Sequence, residues 1–153
     1  MKIILASKSG VRKKILDENN IKSDVIVSNV DEDEVKISLQ AEGATPVIIS
    51  KNLAEIKSIK VSNKNPDRLV LGADSVISLN NKLINKPKSR EEAFEILKKL
   101  NNSIHYLISS VCFSKNGAMT WNHTDSSELK MKNLTDEQLL EYLDKIDTQT
   151  LLA

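Results

Sequence analysis

Residues 3–12 read Ile3-Ile4-Leu5-Ala6-Ser7-Lys8-Ser9-Gly10-Val11-Arg12, and this stretch predicts the first strand and the start of the first helix. The apolar run predicts a short buried strand, and the small hydroxyl residues after it predict a turn into a helix. The start of a helix presents unpaired backbone N–H groups and the positive end of the helix dipole. Ser7 and Ser9 add hydroxyl groups and Arg12 adds a full charge, so the turn is suited to binding a phosphate.

A simpler interpretation of the same turn stays open. Ser7 or Ser9 could do no more than cap the helix, and Arg12 could be a solvated surface residue. The turn by itself does not separate a phosphate site from an ordinary helix cap, so its function depends on what the other segments of the chain contribute.

The composition predicts a globular protein of one ordinary domain. The chain has 153 residues, of which 40% are hydrophobic, and this is enough for a core of normal size. Only 3% of the residues are aromatic, so base-stacking surfaces are not expected. The formal net charge of +1 argues against a nucleic-acid footprint spread over the surface. We therefore expect no nucleic-acid polymer among the partners.

Cysteine and histidine give no sign of a disulfide or a zinc site. Cys112 is the only cysteine, and its apolar neighbours Val111 and Phe113 favour a small buried core residue over a nucleophile. His105 and His123 are not at metal-ligand spacing and are interpreted as structural. The N-terminus lacks a charged leader with a long apolar core, and no apolar run approaches membrane-spanning length. These features predict a cytoplasmic protein without a membrane segment.

Hydrophobic periodicity predicts strands that alternate with helices early in the chain, followed by several consecutive strands. This order predicts an α/β fold, a single mixed-sheet domain with flanking helices. Serine and threonine caps mark the helix starts, including predicted capping boxes at Ser89 and Thr135. The predicted helices cover residues 9–19, 46–60, 90–100 and 136–143, and the predicted strands cover residues 3–5, 24–27, 69–74, 76–79, 104–114, 118–124 and 128–131. The apolar faces of the first two helices are predicted to carry Val11, Ile15 and Leu16, then Val47, Ile48, Leu53 and Ile56.

Charged residues follow several of the predicted strands. The acidic run at residues 31–34 is typical of a solvated loop, and the alternative is a loop that holds a divalent cation through oxygen ligands. Asp74 ends an apolar strand, where it could cap the next turn or act in catalysis. Lys86 precedes Pro87 in a predicted loop, and an ordinary loop lysine is the simpler interpretation.

Taken in order along the chain, these motifs resemble the Maf family of nucleoside triphosphate pyrophosphatases. No single motif is specific, but the ordered set is, and the similarity extends from residue 2 to about residue 147. The segments that carry the resemblance are Leu5-Ala6-Ser7-Lys8-Ser9 with Arg12, Val30-Asp31-Glu32, Leu53-Ala54 with Lys57, Leu71-Gly72-Ala73-Asp74-Ser75, Lys86-Pro87, and residues 102–110 around His105.

The resemblance implies hydrolysis of a nucleoside triphosphate between its α- and β-phosphates, which yields the monophosphate and pyrophosphate. Ser7, Ser9 and Arg12 would hold phosphate oxygens, and Lys57 and Lys86 would neutralise the developing charge. Such a reaction needs its negative oxygens neutralised and its leaving group stabilised by cations. Without the resemblance, Lys57 would belong to the solvated face of a lysine-rich helix. The family also implies a homodimer.

The resemblance further implies a divalent metal cofactor, Mg²⁺ or Mn²⁺. Glu32 would bind the metal, although Glu34 lies two residues away and could coordinate in its place. Asp74 would serve as a metal ligand and would orient or deprotonate the attacking water. Ser75 after this aspartate resembles the family branch with a hydroxyl residue there, which favours pyrimidine triphosphates such as dTTP or UTP over a methylated guanine nucleotide.

The chain departs from the family pattern in two places. The family has a proline and two arginines after the second serine, whereas residues 10–13 contain one arginine, and this predicts a weaker grip on phosphate. The family also continues past the end of this chain through a glycine-rich segment with a further lysine and glutamine and closing strands. Residues 1–153 are therefore expected to form a Maf-like domain that is incomplete at its C-terminus and has impaired activity.

Two other hypotheses remain. The chain could be a non-catalytic remnant of the family that kept its anion site and still binds nucleotides. It could also be a phosphate-binding α/β protein of another family, which would put Asp31, Asp74 and Lys86 far apart in space.

Overall fold

The predicted alternation of strands and helices is present in the structure, a computed structural model that describes residues 1–152. Ala153 lies outside the described residues. In chain order the elements are β1 (Ile3–Leu5), α1 (Gly10–Glu18), β2 (Ser23–Val25), α2 (Glu32–Ala41), α3 (Pro46–Ser62), β3 (Val70–Leu79), β4 (Lys82–Ile84), α4 (Arg90–Leu100), β5 (Ile104–Lys115), β6 (Ala118–Lys130), α5 (Asp136–Asp144) and α6 (Thr148–Leu151).

The strands form one mixed sheet with the order β2-β1-β3-β5-β6, and β4 pairs with β3. β1 is parallel to both of its neighbours, so that Ile4 lies opposite Asp24 on β2 and Val70 on β3. β4 is antiparallel to β3, since the two are joined by a tight turn at residues 80–81. The predicted α/β class, with a mixed sheet and flanking helices, is confirmed.

The chain divides into two compact units. The first contains Met1–Ser75 and Ile108–Asp125, and the second contains Val76–Leu107 and the residues from Ser126 onward. The predicted single domain over residues 1–153 stays a prediction.

The core of the first unit is built around β1 and α3. All three residues of β1 are buried, as a short strand between two parallel neighbours requires. Thr45 caps α3 by accepting from the Ile48 N–H at 3.4 Å, and Pro46 occupies its first turn, as predicted. The buried residues of α3 include Ile49, Ser50, Leu53, Ala54, Lys57, Ser58, Val61 and Ser62.

The second unit is held together by helix ends and a hairpin. At Thr135 the predicted capping box is present, because the Thr135 hydroxyl accepts from the Gln138 N–H at 3.2 Å and the Gln138 side chain accepts from the Thr135 N–H at 2.9 Å. The predicted box at Ser89 is only half formed, since the Glu92 carboxylate accepts from the Lys88 N–H instead. Arg90 donates to the carbonyl of Leu143 at the end of α5.

The predicted helix faces are partly wrong. On α1 only Leu16 is buried, and Val11 and Ile15 are exposed. On α3 the face that meets the sheet is rotated from the predicted one, because Leu53 is buried while Ile48 is among the exposed residues. Apolar residues occur on more than one side of α3, so periodicity alone does not tell which side packs against the sheet.

Two predicted secondary-structure assignments are also wrong. The acidic run at residues 31–34 does not form a loop but the cap and first turn of α2, where carboxylates interact favourably with the helix dipole. Residues 128–131 are not a separate strand, since β6 continues to Lys130. The predicted Asn116-Gly117 hairpin turn is confirmed, and both residues have the positive φ that this turn requires.

Candidate active site

The turn that contains Ser7 and Ser9, between β1 and α1, is called the serine turn. It caps the helix and also holds the side chain of Arg12. Ser9 caps α1 and accepts a hydrogen bond from the Arg12 N–H at 3.4 Å. The Ser7 hydroxyl accepts from the Ser9 N–H at 3.2 Å and from Arg12 Nη1 at 2.9 Å. The guanidinium also reaches the Ser75 hydroxyl at 3.5 Å. Arg12 is therefore a half-buried, oriented cation, and the solvated-surface interpretation is wrong.

Glu32 is positioned by the helix that sequence analysis missed. Asp31 caps α2 by accepting from the Glu34 N–H at 3.0 Å, which fixes the start of the helix. Glu32 follows in the first turn and its carboxylate forms an ion pair with Lys57. Glu34 is exposed, whereas Glu32 is partly buried and its carboxylate meets the buried Lys57.

Asp74 lies inside β3, which continues to Leu79, so the hypothesis that it caps a turn is wrong. Its carboxylate is buried, and Oδ1 accepts from Lys57 Nζ at 3.0 Å. Oδ2 is buried without a hydrogen-bond partner among the described residues. The Asp74 carbonyl accepts from the Ser50 hydroxyl at 3.2 Å, so α3 holds the backbone of this residue as well as its side chain.

Lys57 takes the place of a missing strand partner. The carbonyl of Leu71 accepts from the Ala6 N–H at 2.8 Å, but β1 ends there. The next carbonyl on that edge of β3, that of Ala73, accepts from Lys57 Nζ at 3.3 Å. Lys57 is only 6% exposed, so the prediction of a solvated helix face is wrong at this position.

Burial dominates the electrostatics of Asp74. Removal from water raises the pKa of its carboxyl, while the nearby Lys57 ammonium acts in the opposite direction and the Glu32 carboxylate adds to the rise. The pKa of Asp74 is raised above its ordinary value by the sum of these effects. A carboxylate with a raised pKa is a stronger base than an ordinary aspartate, and its unpaired oxygen is free to take a proton.

Two cavities adjoin these residues. A cavity of about 540 Å³ lies at the ends of β1 and β2 and the start of α2, and Ser7, Glu32 and Lys57 line it together. A second cavity of about 310 Å³ is lined by Arg12 and Asp74 and by apolar residues that include Leu71 and Val111. The described residues contain no group of three or more His, Cys, Asp or Glu side chains suited to a metal ion.

The structure therefore brings five of the predicted site residues together in the first unit: Ser7, Arg12, Glu32, Lys57 and Asp74. Ser9 belongs to the same turn as a helix cap. Lys86 lies in the second unit and is exposed in the segment after β4.

The residues that let α3 pack against β3 were not among the predicted site residues. Small residues recur at every fourth position of α3, namely Ser50, Ala54, Ser58 and Ser62. A Cβ atom placed on Gly72 of β3 would lie 2.2 Å from the Ala54 carbonyl oxygen, so the helix approaches the strand where neither has bulk. The signal in the sequence was this stripe of small residues one helical turn apart.

Other side chains are consistent with structural roles. Cys112 is buried, as predicted, and the Ser58 hydroxyl lies 3.3 Å from its sulfur. His123 stacks on Trp121 with the ring centroids 6.1 Å apart. Among the described residues no helix has both the length and the apolar character to cross a bilayer.

Comparisons with known proteins relate the chain to one family. The sequence profile described as "Maf-like protein" matches residues 2–150. The nucleoside triphosphate pyrophosphatase of Pelagibacter ubique (strain HTCC1062) is 61% identical over 99% of this chain and 77% of its own length. The nucleoside triphosphate pyrophosphatase of Ruegeria pomeroyi is 38% identical over 92% of this chain and 71% of its own length.

Two further similarities are more distant. The 7-methyl-GTP pyrophosphatase of Brucella abortus is 33% identical over 95% of this chain and 73% of its own length. Among solved structures, a HAM1 protein from Coxiella burnetii superposes with a TM-score of 0.55 and 16% identity, over 85% of this chain and 72% of that one. At this identity the structural similarity establishes the fold alone.

Proposed function

The chain belongs to the Maf-like protein family, and we propose that it is a nucleoside triphosphate pyrophosphatase, which hydrolyses its substrate to the monophosphate and pyrophosphate. One observation carries the proposal. Asp74 is a buried carboxylate with a raised pKa, one oxygen held by Lys57 and the other unpaired, in the same unit as the Ser7 and Arg12 turn. The relatives named nucleoside triphosphate pyrophosphatase support the same reaction.

The serine turn is proposed to bind phosphate oxygens. Arg12 is already oriented by Ser7, so it loses little side-chain entropy when it binds an anion. The Ser7 and Ser9 hydroxyls and the start of α1 add neutral donors and the helix dipole. Lys57 lines the neighbouring cavity and is proposed to neutralise charge on the leaving pyrophosphate.

Asp74 is proposed to orient and deprotonate the attacking water. Its unpaired Oδ2 accepts the proton as the water oxygen bonds to the α-phosphorus and the bond from that phosphorus to the bridging oxygen breaks. The electrons of the broken bond leave with pyrophosphate, whose negative charge the cationic side chains stabilise. The Asp74 carbonyl accepts from the Ser50 hydroxyl, so α3 keeps the backbone of the base in place.

A divalent cation fits the carboxylates of this site. Glu32 and Asp74 offer the hard oxygen ligands that Mg²⁺ and Mn²⁺ prefer, and the two oxygens that meet the same Lys57 ammonium, Glu32 Oε1 and Asp74 Oδ1, form the donor pair. Mg²⁺ commonly takes one or two carboxylates and completes its shell with water and substrate phosphates, so a larger cluster is not required. Such a cation would supply charge neutralisation at the phosphates.

Pyrimidine triphosphates, dTTP or UTP, are the proposed substrates. The support is the Ser75 hydroxyl, which contacts Arg12 and the Ser109 hydroxyl, and all three residues line the smaller cavity. That cavity is largely apolar elsewhere, as a pocket for a planar base tends to be. One relative is named for 7-methyl-GTP, so that nucleotide belongs in the same comparison.

The test is to incubate the purified protein with a panel of nucleoside triphosphates and Mg²⁺ or Mn²⁺ and to measure pyrophosphate. Release from dTTP and UTP in preference to 7-methyl-GTP supports the full proposal. Release from another nucleotide keeps the reaction and rejects the proposed specificity. Absence of release from every nucleotide, with folded protein confirmed, rejects the enzyme and leaves the non-catalytic nucleotide-binding protein.

Three further proposals have their own measurements. Lys86 is proposed to bind substrate phosphate, so Lys86→Ala is expected to raise KM while the exposed neighbour variant Lys88→Ala leaves it unchanged.

A homodimer is proposed from the family, and sedimentation equilibrium measures it. A cytoplasmic location is proposed from the composition and is measured by cell fractionation.

A further inference from the structure

Lys57 has three oxygen partners in this structure. Its Nζ donates to the Ala73 carbonyl at 3.3 Å and to Asp74 Oδ1 at 3.0 Å, and it contacts Glu32 Oε1. A lysine ammonium has three N–H donors and no acceptor. All three donors are therefore engaged, and in this arrangement none is left for a phosphate oxygen.

Two of those partners are the carboxylates proposed to hold the divalent cation. With neither a divalent cation nor the Lys57 ammonium between them, Glu32 and Asp74 would be two like charges near one another, and the Asp74 carboxylate is buried. Lys57 neutralises both, and at 6% exposure little water reaches it to screen the interaction. The ammonium thus does in this structure what a divalent cation would do for the same two side chains.

Lys57 also lines the cavity of about 540 Å³ together with Ser7 and Lys8 of the serine turn. A shift of the flexible four-carbon side chain towards that cavity would turn the ammonium from the carboxylates to a bound anion. The Ala73 carbonyl is an exception among the partners, because it is neutral and does not compete for a metal.

We propose that Lys57 is an exchangeable counter-ion. It pairs Glu32 and Asp74 until a divalent cation takes their oxygens, and the released ammonium then binds the phosphates of the nucleotide. This inference rests on the proposed function. It predicts that cation and nucleotide bind cooperatively, because each favours the arrangement in which Lys57 has left the carboxylates.

The first experiment compares Mn²⁺ binding, measured by electron paramagnetic resonance without nucleotide, in the wild type, Lys57→Met and Lys51→Met. Lys51 is an exposed lysine of the same helix, so its variant changes the net charge equally. Removal of the competing ammonium is expected to tighten Mn²⁺ binding about tenfold, within the usual range of coupling between sites. Lys51→Met should bind Mn²⁺ as the wild type does.

The second experiment adds a non-hydrolysable nucleoside triphosphate analogue. In the wild type the analogue is expected to tighten Mn²⁺ binding by more than it does in Lys57→Met. The variant has no ammonium that could move from the carboxylates to the phosphates. Equal or weaker Mn²⁺ binding by Lys57→Met, or unchanged coupling to the analogue, overturns the proposal. Failure of all variants to bind Mn²⁺ overturns it as well.

A third measurement needs no variant. Acetylation of lysines in the wild type, followed by mass spectrometry, is expected to be slow at Lys57 and fast at Lys51 in metal-free protein. Mg²⁺ should speed the reaction of Lys57 several-fold relative to Lys51, and an unchanged ratio contradicts the proposal. The nucleotide panel separates this result from the proposed function, since hydrolysis by the wild type can persist when Lys57 proves immobile.

Discussion

Asp74 is the proposed base of the site, and its surroundings give it properties that an exposed aspartate lacks. Its Oδ1 is held by Lys57, its carbonyl is held by Ser50, and its Oδ2 is unpaired. The role of base is therefore tested most directly by removing its negative charge without changing its shape.

Asp74→Asn is expected to lower the rate of pyrophosphate release by about 10²-fold or more, since general bases contribute at least that much. Nucleotide binding measured without a divalent cation should persist, because Ser7 and Arg12 are unchanged. Initial rates and equilibrium binding measure the two effects. Asp33→Asn is the control, since Asp33 is exposed in the first turn of α2, and equal losses in both variants would contradict the assignment.

The raised pKa of Asp74 also makes a prediction about stability. Burial makes the folded protein hold this proton more tightly than the unfolded chain does, since the ordinary pKa is 3.8. The resulting stabilisation is fully present below the unfolded pKa and is lost as pH rises through the folded pKa. The wild type should therefore lose Tm relative to Asp74→Asn as pH rises through this window, because the variant has no carboxyl group to titrate. Thermal scans over a pH series measure the difference. A constant difference in Tm would show that the pKa is not raised.

At the scale of elements, the contact between α3 and β3 positions both Lys57 and Asp74. The helix presents small residues to the strand, and Gly72 leaves space for the Ala54 carbonyl. Lys57 lies one turn beyond Ala54 on the same face, so its ammonium arrives beside β3 where β1 has ended. The close approach of backbone to backbone is what gives a lysine access to a buried aspartate.

Gly72→Ala is expected to reduce the free energy of unfolding by about 1–3 kcal/mol, because the added methyl group meets backbone that cannot move alone. Denaturant unfolding measures this loss. Gly10→Ala is the matched control, since nothing lies within 4 Å of a Cβ at that position, and alanine in a helix is neutral or stabilising. Equal stability of the two variants would contradict the close approach.

The start of α2 makes a second prediction at this scale. Asp31→Ala removes the cap that accepts from the Glu34 N–H, whereas Asp31→Asn retains an acceptor. Loss of the cap typically costs about 1 kcal/mol and should speed hydrogen exchange at the Glu34 amide. Because α2 carries Glu32, Mn²⁺ binding should weaken in Asp31→Ala alone. The same weakening in both variants would mean that the charge of Asp31 matters and its cap does not.

At the scale of the whole molecule, the net charge of +1 is too small to attract a triphosphate by itself. On the proposed function, affinity for the triphosphate comes from local cations such as Arg12 and Lys57. A non-hydrolysable nucleoside triphosphate analogue with Mg²⁺ should therefore raise Tm, and at 100 times its Kd it adds about 2.7 kcal/mol to stability. The matching nucleoside without phosphates should raise Tm far less, and equal shifts would mean that the phosphates are not recognised. A shift without hydrolysis of the true nucleotide would identify a binding protein.

Much of the architecture could be predicted because its signals are local. The cap at Thr45, the box at Thr135 and the Asn116-Gly117 turn each depend on residues a few positions apart. The acidic run at residues 31–34 was assigned to a loop because its charges are typical of solvated segments, yet the same charges also suit the first turn of a helix. A local signal with two structural meanings is decided by what surrounds it.

The sequence by itself determined the alternation of strands and helices early in the chain, the α/β class and the family, and it supplied the polar residues proposed for the chemistry. Only the tertiary structure decided that Lys57 pairs with Asp74, 17 positions away, and with Glu32 at the start of another helix. The physical reason is that burial and ion pairing depend on which faces of α3 and β3 meet. That choice is made by the close packing of the small residues of α3 around Gly72, and the hydrophobic periodicity of either segment does not record it.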